Sequence, residues 1–217
     1  MYMDRIRRGS EIENSVFWLR AWSEGQGLGW HDLAHERFCV FIDKLLHCQQ
    51  QTNLTGFATP RALVESLFVD SLQILRVSEP LGSLLDVGTG AGFPAIPLKI
   101  LRPDLEMILV EPRTKRYAFL RMMERELGFS GITILKSRIE SVVVPSDLGF
   151  AISKAFAPLP EWLVHARPWA EHGAKVACLV SRVDWEAASG DILRLGYKVE
   201  GLLMENGRIY GVLRYEV

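Results

Sequence analysis

Leu84-Leu85-Asp86-Val87-Gly88-Thr89-Gly90-Ala91-Gly92-Phe93-Pro94-Ala95-Ile96-Pro97-Leu98 is the stretch that decides the fold. A short apolar run, Ser83–Val87, leads straight into three glycines at alternate positions, and a helical pattern follows at once. That order predicts strand, loop, helix. Glycine lets the backbone turn sharply and lets a ligand come close. In open α/β sheets, ligands bind beyond the carboxyl ends of the strands, where this loop falls.

Strands and helices continue to alternate downstream. The pattern predicts a helix over Pro94–Leu101, stopped by Arg102-Pro103, then a strand over Glu106–Val110. A helix over Thr114–Leu127 is ended by Gly128. Strands are expected at Ile132–Lys136 and Phe150–Phe156, and a helix over Pro160–Ala170 that Pro168 should end or kink. A strand over Ala174–Val180 and a helix over Asp184–Leu195, closed by Gly196, come next. Two strand-like runs, Lys198–Met204 and Ile209–Val217, are joined by Glu205-Asn206-Gly207-Arg208, and Asn-Gly between strands signals a hairpin. Such alternation requires a mainly parallel sheet with helices on both faces. The hairpin adds an antiparallel edge.

Upstream the patterns are helical. Ser15–Trp22 is a short apolar stretch that runs into a glycine-rich loop, Gly25-Gln26-Gly27-Leu28-Gly29. Asp32–Gln50 carries Phe38, Phe41, Leu45 and Cys48 at three- and four-residue steps, which predicts an amphipathic helix. Thr59-Pro60 reads as an N-cap with proline at the first helical position, and the next helix aligns Leu63, Leu67, Ser71 and Leu75. Pro80-Leu81-Gly82 breaks that pattern. The expected division is therefore a helical extension over 1–81 and an α/β domain over 82–217.

The loop also indicates its ligand. A dinucleotide fingerprint, GxGxxG, needs glycine at 93, where Phe93 stands. The spacing present is GxGxG, with Asp86 two positions before the first glycine. This is the pattern of class I methyltransferases, whose loop faces the amino-acid part of S-adenosylmethionine. Asp86, Gly88, Gly90, Gly92 and Phe93 are thus candidate cofactor residues. Glu111 ends the second predicted strand and is a candidate for the ribose hydroxyls, since a carboxylate accepts several hydrogen bonds. The competing reading of Glu111 is a solvated strand-end acid.

Composition narrows the class. The 217 residues are 48% hydrophobic and 24% charged, enough apolar material for a sizeable core. The net charge of −1 does not mark the whole chain as a nucleic-acid binder. Local charge differs: Lys99–Arg138 holds nine basic residues against five acidic ones. Such a segment can meet phosphates, or can be a salt-bridged helix face. Cys39, Cys48 and Cys178 form no CxxC pair and no zinc-spaced cluster, so neither disulfide nor metal is expected, and buried thiols are the simpler reading. Met1–Arg20 lacks the continuous apolar core of a signal peptide, and no run approaches the ~18 apolar residues of a membrane span. A cytoplasmic monomer is expected.

From about Asn53 to Leu159 the chain resembles the glucose-inhibited division protein B family, bacterial methyltransferases of guanine N7 in small-subunit (16S) ribosomal RNA. The resemblance is carried by Asn53-Leu54-Thr55, Asp70-Ser71-Leu72, Leu85 to Leu98, Arg102-Pro103, Lys115-Arg116-Tyr117-Ala118-Phe119-Leu120, Ser137-Arg138-Ile139-Glu140 and Ile152-Ser153-Lys154-Ala155-Phe156-Ala157. It implies a class I methyltransferase fold: a Rossmann-like doubly wound sheet, mostly parallel, with the C-terminal hairpin antiparallel and a helical extension before it. It implies S-adenosylmethionine as cofactor, ribosomal RNA or the small subunit as partner, and neither membrane nor DNA. By position it implies that Gly88, Gly90 and Gly92 line the cofactor, that Glu111 takes the ribose, and that Ile139 and Glu140 lie beside the adenine. Lys154 matches a position near the methyl-transfer site that is usually arginine, and Arg138 a family arginine on the RNA side; both are the candidate catalytic residues. The chain departs from the family at Leu67, where histidine is usual, at Val180-Ser181, where Lys-Gly is usual, and at Ala95, where glycine is usual.

Guanine N7 carries an in-plane lone pair and no proton, so its attack on a sulfonium methyl needs no general base. In-line placement and exclusion of water suffice. Lys154 could meet guanine O6 or a phosphate, or be an ordinary solvated lysine. Phe156 could stack on a flipped guanine or belong to the core, and Pro158, Pro160 and Trp162 follow the fourth strand where base methyltransferases place a substrate loop. Three functions fit: the RNA guanine-N7 methyltransferase, a same-fold methyltransferase of another substrate, and a non-catalytic RNA- or ribosome-binding relative.

Overall fold

The computed structural model describes residues 2–52, 54–80, 82–143 and 147–216; Asn53, Leu81 and Val217, which enter the readings above, lie outside the described residues. Three helical segments precede the sheet. They are α1 (Tyr2–Gly25), α2 (Asp32–Thr52) and a broken run of α3 (Pro60–Leu63), a π turn (Val64–Phe68), α4 (Val69–Leu72) and α5 (Ile74–Val77). Helix α1 extends well beyond the predicted apolar stretch Ser15–Trp22. Its buried positions Ile12, Ser15, Val16, Leu19 and Ser23 follow helical steps, but two of them are serines, which mute the hydrophobic signal. Thr59 caps α3 as expected, its hydroxyl accepting from the Ala62 N–H at 3.3 Å, with Pro60 at the first position.

The sheet has seven strands: β1 (Ser83–Val87), β2 (Glu106–Val110), β3 (Ile132–Leu135), β4 (Leu148–Lys154), β5 (Lys175–Ser181), β6 (Tyr197–Glu205) and β7 (Arg208–Tyr215). Their order is β3-β2-β1-β4-β5-β7-β6. The first five pair in parallel, and β7 runs antiparallel to both β5 and β6. The β6–β7 hairpin turns at Asn206 (φ 51°) and Gly207 (φ 74°), the left-handed pair that an Asn-Gly turn supplies. The intervening helices are α6 (Ala95–Leu101), α7 (Thr114–Glu126), α8 (Leu159–Ala170) and α9 (Arg182–Arg194). Pro168 does not end α8, which runs two residues past it before closing at Glu171.

Two apolar cores lie on the two faces of the sheet. One joins α1 to α7 with Leu84, Phe150 and Ile152; the other joins α8 and α9 with Leu85, Val87 and Ala151. Side chains alternate along a strand. Asp86 and Lys154 therefore fall on the face covered by the N-terminal helices. Strand β4 starts and ends two residues earlier than Phe150–Phe156. Its apolar character continues to Phe156, but Ala155 takes the left-handed conformation (φ 54°) and turns the chain out of the sheet.

Candidate active site

The loop Gly88–Gly92 crosses the carboxyl ends of β1 and its neighbours. Two of its glycines are forced. Gly88 (φ +70°) lies against Phe156, whose Cδ2 would be 2.9 Å from an added Cβ; at Gly92 (φ +95°) a Cβ would stand 2.4 Å from Ile96 Cδ1. The first contact leaves Phe156 packed over the loop, and the second presses the loop onto α6.

Beside the loop a cavity of about 330 Å³ is lined by Val87, Gly88, Val110, Glu111, Pro112, Arg113, Arg116, Ser137, Arg138, Ile139, Glu140, Ala155 and Phe156. Its volume is that of a small-molecule site. Four of the candidate cofactor residues, Gly88, Glu111, Ile139 and Glu140, come together here, and Arg138 joins them. Asp86, Gly90, Gly92, Phe93 and Lys154 do not line it.

Glu111 is 2% exposed, which rules out the solvated reading. Its Oε2 accepts from the Gly90 N–H at 3.0 Å and its Oε1 from the Arg113 N–H at 2.8 Å. Arg116 Nη1 stands 4.0 Å away. A carboxylate offers about four lone-pair sites, so roughly two remain for hydroxyls in the cavity. Ile139 and Glu140 open a short 3-10 turn, Ile139–Ser141, with Ile139 buried and Glu140 exposed.

Asp86 lies beneath the loop instead of facing the cavity. It is fully buried, and its Oδ2 accepts from the Ala95 N–H at 3.2 Å, holding the first turn of α6. Burial pushes its carboxyl up to about 7, against the Thr89 hydroxyl, the Ala95 N–H and the nearby Lys154 charge. Phe93 is 7% exposed and packs on Phe41 and Phe68.

Lys154 is not solvated either. Its Nζ lies 3.5 Å from Asp70 Oδ2, with side-chain exposures of 11% and 7%. The same carboxylate takes Arg208 Nη1 at 2.9 Å and the Tyr210 hydroxyl at 2.7 Å. Burial draws the Lys154 ammonium below the usual lysine range, and Asp70 opposes the shift. The network joins α4, β4 and the start of β7. Asp70 was visible in the sequence only as part of a resemblance; nothing in its spacing showed that it would meet residues about 84 and 138 positions onward. Ala155, which lines the cavity, enters the sequence reading only within a resembling segment, and its identity does not signal the left-handed conformation it takes.

Trp162 belongs to the core and not to a substrate loop: it is 2% exposed and its Nε1–H donates to the Ala177 carbonyl at 3.0 Å. Phe156 is 36% exposed, lines the cavity, and meets Trp162 and His165 edge-on. Of the basic segment, Lys99 is buried and donates to the Pro103 and Leu105 carbonyls, Arg102 pairs with Glu79, and Arg121 with Glu124. Arg113, Arg116 and Arg138 line the cavity. Ion pairing thus accounts for Arg102 and Arg121, while Arg113, Arg116 and Arg138 stand at the cavity. Ser181, one of the departures, caps α9, its hydroxyl accepting from the Asp184 N–H at 3.1 Å. Leu67, another, packs half-buried against the core of the N-terminal helices.

No helix among the described residues is long and apolar enough to cross a membrane. The architecture is similar to a SAM-dependent methyltransferase from Aquifex aeolicus (TM-score 0.56, 18% identity, 72% of this chain and 93% of that one). It is also similar to the ribosomal protein L11 methylase of Lactobacillus delbrueckii subsp. bulgaricus (TM-score 0.54, 12% identity, 78% and 93%). The fold is that of class I methyltransferases. In sequence the chain is 34% identical over 149 residues to the ribosomal RNA small subunit methyltransferase G of Myxococcus xanthus, covering 67% of this chain and 69% of that protein. The protein of the same name from Neisseria meningitidis serogroup B is 34% identical over 151 residues, covering 68% and 72%. Residues 34–188 match the family GidB, described as rRNA small subunit methyltransferase G, and with nearly three quarters of its length inside that match the chain belongs to this methyltransferase family.

Proposed function

We propose that this protein transfers the methyl group of S-adenosylmethionine to N7 of a guanine in small-subunit ribosomal RNA. The observation that carries the reading is the buried Glu111 beside the glycine loop, its carboxylate half-committed to backbone N–H groups and half-open to the cavity. The family, whose members are named for ribosomal RNA, supports the substrate.

In this reading residues 82–217 are the catalytic unit and 1–81 the extension, acting as a cytoplasmic monomer on RNA and not on DNA. S-adenosylmethionine supplies an electrophilic methyl on a sulfonium. Glu111 accepts from the ribose hydroxyls, Ile139 and Glu140 flank the adenine, and Gly88 and Gly90 give the backbone close approach. Gly92 and Asp86 hold the loop on α6, and Phe93 anchors it in the core. The chain has to present guanine N7 in line with the methyl, with Phe156 available as a stacking surface and Arg138 as a phosphate contact. No side chain has to remove a proton, because N7 has none. Lys154, 3.5 Å from Asp70, sits on the face of the sheet covered by the N-terminal helices.

Incubating the purified protein with small-subunit RNA or subunits and methyl-labelled S-adenosylmethionine tests this directly. Label in N7-methylguanosine is expected, and label in another nucleoside or in none contradicts it.

A further inference from the structure

We propose that Glu13, His35 and Cys39 form a binding site for a divalent cation of the zinc type that joins α1 to α2. The carboxylate, imidazole and thiol donor atoms all lie within 4.8 Å of one another. His35 and Cys39 are four apart on α2, so their side chains share one face. Glu13 comes from α1, along which α2 folds back. Its Oε2 is 2.6 Å from His35 Nε2, and the Cys39 Sγ lies within 4.8 Å of both donor groups. Both donors of α2 thus already converge on one group of α1. Phe17, one turn beyond Glu13, rests on the His35 ring with centroids 4.6 Å apart and fixes its direction.

The donor set selects the metal. Calcium and magnesium require oxygen ligands, whereas one sulfur, one imidazole nitrogen and one carboxylate suit zinc. Tetrahedral zinc at its usual bond lengths sets neighbouring donor atoms roughly 3.3–3.6 Å apart. The Cys39 sulfur therefore needs to close on the other two donors by up to about an ångström, and the Glu13–His35 pair, at 2.6 Å, to open by somewhat less. Glu13 is 52% and His35 24% exposed in the side chain, so a hydrated ion reaches the site and water completes the fourth position. On ligation the Cys39 S–H proton passes to the buffer and the sulfur lone pair forms the metal bond; nothing is oxidised or reduced.

None of the three residues lines the cavity of the active site, so the proposal stands apart from the methyl-transfer reading. The local sequence concealed it. His35 and Cys39 have helical spacing, but the third ligand lies 22 positions before His35.

Cobalt(II) titration of the metal-stripped full-length protein, with zinc equilibrium dialysis, tests it. The expected result is one zinc per chain and a thiolate-to-cobalt charge-transfer band in the wild type and in Cys48→Ser. Cys39→Ser should lose the band. Cys39→Ser and His35→Ala should each lower zinc affinity beyond the roughly 10–100-fold that removal of a mere outer-sphere partner costs. Circular dichroism and S-adenosylmethionine calorimetry of the variants should match wild type, since none of these positions lines the cavity and serine nearly keeps the volume of Cys39, which is only half-buried against the core. Absence of the band in the wild type, or its persistence in Cys39→Ser, overturns the proposal.

Discussion

Glu111 Oε2 accepts from the Gly90 N–H at 3.0 Å, so the acid that ends one strand holds the glycine loop that follows another, 21 positions earlier. Loop position therefore depends on this carboxylate, and in the proposed function cofactor affinity does too. Glu111→Ala is expected to weaken S-adenosylmethionine binding about 10–100-fold, since hydrogen bonds to a charged acceptor are worth roughly 1.5–3 kcal/mol. Glu111→Gln, which still accepts from one N–H, should fall between. Isothermal calorimetry reads both; unchanged affinity in Glu111→Ala removes the ribose role.

Asp86 gives the fold a pH dependence of its own. Its folded-state carboxyl lies near 7, against 3.8 for a free aspartate, because burial disfavours the charge. A raised folded value means that the stabilising contribution is complete below about 4 and is lost as pH rises through about 7. Asp86→Asn abolishes this titration and keeps an acceptor for the Ala95 N–H. Urea denaturation across that window should show the wild type losing stability relative to Asp86→Asn as pH rises, with no further change above neutrality. A constant difference contradicts the assignment.

Asp70 carries two cations, Lys154 and Arg208, and of these only Lys154 is buried. Removing one partner of a buried pair costs about 3–5 kcal/mol, because the other charge is left uncompensated. Asp70→Ala should lose stability on that scale. Adding Lys154→Met should restore part of it, since the orphaned charge goes as well. If the double variant is no more stable than Asp70→Ala, Lys154 does not depend on Asp70.

Arg113 and Arg138, both exposed at the cavity, are the candidate phosphate contacts. Arg113→Ala and Arg138→Ala should each flatten the slope of log affinity for ribosomal RNA against log salt by roughly 0.7–0.9, and leave S-adenosylmethionine binding unchanged. Filter binding at several salt concentrations measures this. An unaltered slope in both variants places the RNA elsewhere.

Much of this architecture is legible from local pattern. Ser83–Val87 and Glu106–Val110 were readable to the residue because buried parallel strands are short, mostly apolar runs bounded by turn signals. The Asn206-Gly207 turn was readable because its left-handed backbone selects those residues. What stayed hidden depends on tertiary contact. Ser15 and Ser23 are buried on α1, so its apolar stripe looked short. Ala155 leaves the sheet in a conformation its identity does not advertise. Asp86 is a cofactor candidate by its spacing before the glycines, and Lys154 a candidate near the methyl-transfer site by the resemblance. Strand alternation instead turns both toward the N-terminal helices, where Asp70 waits for Lys154. Five candidate residues, Gly88, Glu111, Arg138, Ile139 and Glu140, line one cavity, but the packing of Phe156 over Gly88 was not legible.

The proposed reaction is methylation of guanine N7 in small-subunit ribosomal RNA. Mapping N7-methylguanosine in that RNA from host cells lacking the gene is its most direct measurement. One N7-methylguanosine is expected to disappear, to return with the wild-type gene, and not to return with Glu111→Ala. An unchanged N7-methylguanosine map in the deleted strain would contradict it.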